Sequence, residues 1–308
     1  MTDVREMQLT SAWEVMMKKQ TKERVENVCF TLPALICIFV MFYIPFVMGA
    51  GYSFTQWNGI SQQPKFIGLD NYKAIFGGGS GFFSTIGFTI GYTALFILFS
   101  NVIALILAVA LTKKFHLANV FRGVFFIPYI MSMTIVGFIW KFIFTKGFET
   151  MYEHCPLPFF NWSWLGDPRV AFWAVTLVGI WQSLGFYIVL YIAGLEAVPQ
   201  DVEEAARVDG ATSTQRFFRV TLPLLGPSIT TCIFMSLTNG LKVFDIILAL
   251  TKGGPGQATY SATMSIYMDA FTNNQYGLGS AEAIVYFLVV LVITKLTLKG
   301  LNRTEVSL

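Results

Sequence analysis

Charge is scarce in this chain: only 13% of its 308 residues are Asp, Glu, Lys or Arg, 55% are hydrophobic, and the mean hydropathy is +0.60. Soluble domains rarely reach that balance. Cysteine is sparse too. Cys29, Cys37 and Cys232 lie in or beside apolar runs and Cys155 stands alone, so the sequence holds neither a disulfide framework nor a metal-binding spacing. No Lys-Ser or Lys-Thr pair occurs, which excludes a phosphate loop and a nucleotide site in this chain. The short alternating stretches of a membrane barrel are missing, as are internal repeats and low-complexity tracts. The net charge of +3 is dispersed between apolar runs, so no nucleic-acid partner is expected.

What the chain does have is six long apolar runs, at residues 28–54, 82–111, 120–144, 170–194, 224–250 and 278–298. A bilayer accepts about twenty apolar residues per helix, and backbone groups in lipid must bond within their own segment. The expectation is an all-α membrane protein: a polar segment over 1–27, a six-helix domain over 28–298, and a tail over 299–308. The first run has no small-residue cleavage site after it and is expected to remain as a span. Leu9, Trp13, Met16 and Met17 ahead of it suit either an amphipathic interfacial helix or a frayed helical tail. Basic residues concentrate before the first run, between runs two and three, between runs four and five, and at the end of the sixth. The positive-inside rule therefore puts both termini and the 195–227 segment in the cytoplasm.

That 195–227 segment is a charged island, LEAVPQDVEEAARVDGATSTQRFFRVTLPLLGP, and suggests helices over 201–208 and 213–220 around a Gly turn. It contains Glu203, Glu204, Ala205, Ala206, Asp209, Gly210, Ala211, Val220, Leu222 and Pro223. Gly210 can supply positive φ at a helix end, and Pro223 can open the next helix. The segment resembles the EAA loop of the permease subunits of ATP-driven importers, and TKGGPGQAT at 251–259 resembles the turn after the fifth core helix in sugar-importing, maltose-type members. The resemblance implies the type I ABC importer permease fold in a bacterial inner membrane, with residues 203–206 and 209–211 docking on an ATPase. It further implies a second homologous permease, two ATPase subunits that bind ATP and Mg, an extracytoplasmic solute-binding protein and a sugar substrate. No catalytic residue, metal or cofactor is expected in this chain.

Polar groups at membrane depth are costly and so mark function by default. Near the centres of runs three, four and five lie Tyr129 and Met133, Gln182 and Ser183, and Asn239. Tyr129 with Met133, the set Gly179, Gln182, Ser183 and Phe186, and the set Asn239, Lys242 and Val243 each have the spacing of one helix face. Amides, hydroxyls and aromatic rings suit sugar hydroxyls and C–H surfaces; they also suit bonding between helices. Aligned with the maltose-type family at Pro128-Tyr129, Ala197-Val198-Pro199 and Gly253-Gly254-Pro255, its sugar-contacting positions fall on Tyr129, Met133, Gly179, Gln182, Ser183, Phe186, Asn239, Gly240 and Val243. Only Tyr129 keeps the family's side chain, which implies a glycan other than maltose.

Lys242 and Asp245 either neutralise each other or leave Lys242 for an acidic sugar, and Asn239-Gly240 can loosen the helix there. Glu282 is expected to meet solvent or a partner loop. The outer segment 55–81 should be irregular with a short helix near 71–75, and the aromatics of 145–169 suit an interfacial belt or an external partner. An importer for a non-sugar or charged solute (glycerol phosphate, a polyamine) remains open. A secondary transporter is also open, although only Asp245 lies well inside a run.

Overall fold

The computed structural model describes Glu23 and residues 26–112 and 117–301, and most of these residues are helical. The positions read as an amphipathic N-terminal helix, Leu9 to Met17, lie outside the described residues. Four helices are long and apolar enough to cross a bilayer unbroken: α1 (Glu26–Tyr52), α3 (Phe82–Thr112), α6 (Pro168–Glu196) and α12 (Tyr276–Leu301). Two bent pairs bring the number to six. The first is α4 (Ala118–Ile130) with α5 (Met133–His154), and the second is α8 (Ser213–Leu224) with α9 (Gly226–Leu241).

Helix α6 is the hub, with 67% of its apolar window buried against 0% for α1. It begins where Asp167 accepts bonds from the N–H groups of Arg169 and Val170, with Pro168 in the first turn. It packs on α3, α4, α5 and α9. At Gly185 the backbone of α4 comes so close that a Cβ would stand 2.1 Å from the Phe125 carbonyl oxygen.

The third apolar run is not one straight helix. It turns by 99° between Ile130 and Met133, where Met131 and Ser132 are extended, just after Pro128 removes a donor from the last turn. The fifth run is broken as well, bending by 67° at Leu225 and again at 242–244 before α10 (Asp245–Leu250). Pro227, rather than Pro223, opens the fifth span; Pro223 sits in the closing turn of α8.

A broken helix in a membrane is tolerated only when its freed carbonyls find partners, and here they do. The Leu241 carbonyl accepts from the Tyr286 hydroxyl (2.5 Å), and the Val243 carbonyl accepts from the hydroxyls of Ser261 (2.6 Å) and Thr263 (2.7 Å).

The far ends of the spans, away from the island, carry the remaining structure. A two-residue ladder joins β1 (Thr55–Gln56) to β2 (Lys65–Phe66), followed by α2 (Asp70–Phe76) over the short helix expected there. The aromatics of 145–169 fold onto each other: Trp164 is buried, stacks on Phe144 at 4.8 Å, and donates its indole N–H to the Phe159 carbonyl at 3.0 Å. Helix α5 runs through the first part of that segment, to His154. The TKGGPGQAT turn uses positive φ at Gly253 and Gly256 and leads into α11 (Ala262–Tyr267), which continues as a π-helical turn over Met268–Thr272.

One expectation fails at α12. Glu282 does not meet solvent; it is fully buried, and neither carboxylate oxygen has a hydrogen-bond partner among the described residues. One turn earlier, a Cβ on Gly279 would come within 2.9 Å of the Ala270 Cβ, so this face of α12 is pressed onto the π-helical turn after α11.

Candidate functional site

The broken ends of the third and fifth spans face each other across α3 and α6, leaving a cavity of about 340 Å³. Tyr129 and Met133 line it from the two sides of the α4–α5 break, Gly179, Gln182 and Ser183 from α6, and Asn239, Lys242 and Val243 from the end of α9 and its break. Tyr129 with Met133, and Asn239 with Lys242 and Val243, therefore meet at the cavity through backbone breaks rather than by sharing a helix face.

Phe186 and Gly240 are not in the wall. Phe186 stacks on Tyr129 at 4.8 Å and 20°, fixing that ring from behind. Gly240 lies buried against Thr93, where a Cβ would be 2.8 Å from the threonine methyl.

Tyr92 and Phe96 from α3, and Phe244, Asp245 and Ile246 from the α9–α10 break, complete the lining. Centring the second run as the others were centred places its midpoint beside Phe96, with Tyr92 one turn away. Tyr92 presses on α6 so closely that a Cβ on Gly179 would lie 2.3 Å from its hydroxyl.

Most polar side chains here serve the fold and the cavity together. Gln182 donates to the Tyr129 carbonyl at 3.3 Å, satisfying a group that the α4 break sets free. Asn239 donates to the Tyr187 hydroxyl at 3.2 Å, and Ser183 donates to the Gly179 carbonyl at 2.9 Å. Each keeps further donor or acceptor capacity. Lys242 and Asp245 behave differently from the mutual neutralisation first expected: among the described residues no ion pair joins them, and both line the cavity. The break at 242–244 separates the two side chains that an unbroken helix would have stacked one turn apart.

On the island side of the cavity, a buried polar chain links three spans. Tyr191 of α6 donates to Asn101 Oδ1 of α3 at 2.8 Å, Asn101 donates through Nδ2 to Ser236 of α9 at 2.9 Å, and Ser236 donates to the Cys232 carbonyl at 2.8 Å. Sequence reading passed over all three side chains: Asn101 and Tyr191 sit off the centres of their runs, and Ser236, one residue from the middle of its run, is a small residue common where membrane helices pack.

The island folds as two short helices, α7 (Gln200–Val208) and α8. Glu203, Glu204, Ala205 and Ala206 lie on α7, which buries none of its residues, and Val208 is 87% exposed. The helix ends at Asp209. Gly210 has φ +81°, its N–H bonds to the Arg207 carbonyl at 3.1 Å, and the Ala211 N–H reaches back to Ala206 at 3.0 Å, the two bonds of a left-handed helix stop. Thr212 and Gln215 form a reciprocal cap that starts α8. Thr221 of α8 donates to Glu203 of α7 at 3.0 Å, joining the two island helices, and Arg122 of α4 bridges the Leu111 carbonyl (3.2 Å) and Glu196 (3.3 Å) at the ends of α3 and α6.

A helical bundle with broken spans around a central cavity and a helical loop standing off one end defines a membrane permease. Two structures of the bacterial alginate ABC transporter share the fold, with TM-scores of 0.80 and 0.78 at 22% and 23% identity, covering 93% and 91% of this chain and 98% and 94% of theirs; the second is in complex with an alginate pentasaccharide-bound periplasmic protein. The family model described as binding-protein-dependent transport system inner membrane component matches residues 100–303, and the chain belongs to that family. It is 37% identical to the probable starch degradation products transport system permease protein AmyD of Thermoanaerobacterium thermosulfurigenes, over 91% of this chain and 94% of the relative. It is 38% identical to the multiple sugar-binding transport system permease protein MsmF of Streptococcus mutans, over 90% and 95%. The chain is thus an inner-membrane permease component and not a catalytic subunit.

Proposed function

We propose that this chain forms half of the translocation pathway of an ATP-driven oligosaccharide importer and passes its substrate through the cavity between α3, α6 and the two broken spans. The observation that carries the reading is the cavity's chemistry: amides at Gln182 and Asn239, hydroxyls at Ser183 and Tyr129, and aromatic rings at Tyr92 and Phe96, gathered at the depth where polar groups cost most. That set suits a polyhydroxyl ligand with apolar C–H faces. The names of the relatives, which speak of starch products and multiple sugars, point the same way. A second homologous permease would close the other half of the pathway, and α1, with none of its apolar window buried, leaves a face for it and for lipid.

Two ATPase subunits, which would bind ATP and Mg, would grip α7 in the cytoplasm, where both termini also lie. A solute-binding protein would deliver the sugar to the opposite face. Reconstituted with these partners, the complex should import an isotopically labelled oligosaccharide only with ATP, and Gln182→Leu should raise KM about ten-fold, the scale of one or two lost hydrogen bonds. Failure to import any neutral or acidic glycan would sink the sugar reading, and uptake surviving ATP depletion would indicate a secondary transporter.

Lys242, which forms no ion pair among the described residues, stands in the cavity wall and supports a second reading, an acidic glycan as cargo. For such cargo Lys242→Gln should cut uptake by about ten-fold or more through loss of a charge-assisted bond. A neutral glycan should be carried within about two-fold of the unmodified rate, since the bonds it loses are weaker. Competition between neutral and uronate oligosaccharides in the same vesicles separates the two.

A further inference from the structure

A second cavity, of about 500 Å³, opens at the end of the bundle opposite the island, between the segment that follows α1 and the segment that precedes α12. Its composition is unusual for a membrane protein's rim. Among the described residues, no charged side chain lines it, yet five amides do: Gln56, Asn58, Asn71, Asn274 and Gln275, together with the indole of Trp57. The size falls in the range of small-molecule sites.

The walls are fixed before any ligand arrives. Asn71 spends both amide hydrogens on the carbonyls of Ser53 (2.8 Å) and Thr55 (2.9 Å), and Asn58 Oδ1 accepts from the N–H groups of Ile60 and Ser61. Trp57 donates to the Ser61 carbonyl at 2.8 Å, with Tyr52 at 4.3 Å and Tyr276 at 5.0 Å from its ring. The two segments, more than two hundred residues apart in sequence, are locked together where the Gly277 N–H bonds to the Trp57 carbonyl at 3.0 Å. A Cβ on Gly277 would stand 1.9 Å from the Thr55 carbonyl oxygen, so only glycine permits that approach.

By contrast, the side-chain amides of Gln56, Asn274 and Gln275 hold no hydrogen bond to any described residue and remain open on the cavity. Amides donate and accept at once, as the hydroxyls of a pyranose require, and an indole ring in the lining offers apolar contact for its C–H groups.

We infer that this cavity is a saccharide-binding site separate from the translocation cavity, which takes a neutral di- or trisaccharide unit at the face where substrate arrives. The absence of charge in the lining argues for a neutral ligand over a uronate. The concave wall, held at Asn71, Asn58 and Trp57, argues for a small glycan over a protein loop, with only the exposed amides of Gln56, Asn274 and Gln275 left to order on binding. The inference rests on the import reading only for the side from which the ligand comes.

The test is saturation-transfer NMR on the whole transporter in nanodiscs, without binding protein, using maltotriose, raffinose and cellotriose, with trigalacturonate as the acidic control. At least one neutral trisaccharide should give a signal that survives Gln182→Leu in the translocation cavity. It should weaken by about ten-fold in the double variant Gln56→Leu/Gln275→Leu. Both glutamines are exposed, so that variant should fold.

The inference is overturned if no neutral trisaccharide gives a signal, if the double variant binds as before, if Gln182→Leu alone removes the signal, or if only trigalacturonate binds. It is overturned in favour of protein docking if the double variant keeps its saccharide signal and loses stimulation of ATP hydrolysis by the binding protein. ATP-driven uptake by the unmodified complex decides the import reading separately: uptake without an outer signal sinks only this inference, and an outer signal without uptake sinks only the import reading.

Discussion

Gly210→Val is expected to reduce ATP-driven uptake to background while the chain still inserts and assembles in the membrane. The residue stands at φ +81°, between the exposed α7 and the cap of α8. A β-branched side chain there costs roughly 1–3 kcal/mol of local strain, and the cheapest relief is to unwind the stop formed by the bonds from Gly210 to Arg207 and from Ala211 to Ala206. Nothing lies within 4 Å of the Cβ position, so the strain comes from the backbone alone and does not reach the bundle.

If α7 is the lever that an ATPase grips, re-aiming it breaks force transmission even though every span is intact. Uptake into vesicles should vanish, ATP hydrolysis should lose its dependence on substrate, and the amount of membrane-inserted protein should change little. Normal coupled uptake by Gly210→Val would rule out the lever. Gly210→Asn, which tolerates the left-handed conformation, should restore part of the activity and so separates backbone strain from a loss of fold.

Gly210 also illustrates why parts of this protein were legible. A glycine after a short polar helix, in a charged island between two apolar runs, has few other uses, and the island's two helices lie within a few residues of the expected bounds. The six spans were legible because solvation in lipid demands about twenty apolar residues each. The break in the third run was not, and that at 242–244 in the fifth showed only in the Asn239-Gly240 pair just ahead of it. Pro128 sits inside α4 and the 99° turn comes three residues later, at Met131 and Ser132, neither of them a breaker by residue type, while the backbone of Phe125 and Phe126 packs closely on Gly185.

Facing was illegible for a related reason. In a helix apolar all round, such as α12, hydrophobicity does not distinguish the face on lipid from the face on protein, and Glu282, four residues into its run, was expected at solvent or a partner loop rather than inside. Tyr129, Gln182 and Asn239 stood out because a polar group at mid-span has to be explained. Tyr92 and Phe96, aromatic residues among other apolar ones, did not, although they supply part of the same cavity wall.

The chain from Tyr191 through Asn101 to Ser236 leads to the other large effect. It joins α6, α3 and α9 between the cavity and the island, where a transporter must seal and unseal its pathway on the coupled side. All three side chains are buried, so the bonds form away from water. Asn101→Leu removes the middle member and leaves the buried Tyr191 hydroxyl with only the Cys232 thiol, a weak partner, a penalty of about 1–3 kcal/mol.

That penalty falls on the arrangement in which the three helices meet and not on one in which they have separated, so the population shifts toward the separated state by about five-fold to a hundred-fold. The expected phenotype is ATP hydrolysis that runs without substrate and uptake lowered by more than ten-fold. Tyr191→Phe removes the same bond and leaves Asn101 Oδ1 as the unpaired group, but Asn101 still bonds Ser236 and the Ile97 carbonyl through Nδ2, so the variant should be milder in both respects. Ser236→Ala should fall between them, since Asn101 would keep its bond to the Ile97 carbonyl at 2.8 Å. An Asn101→Leu transporter with ordinary coupling would mean that the three helices do not part here during transport, and that the polar chain serves only to hold the bundle together.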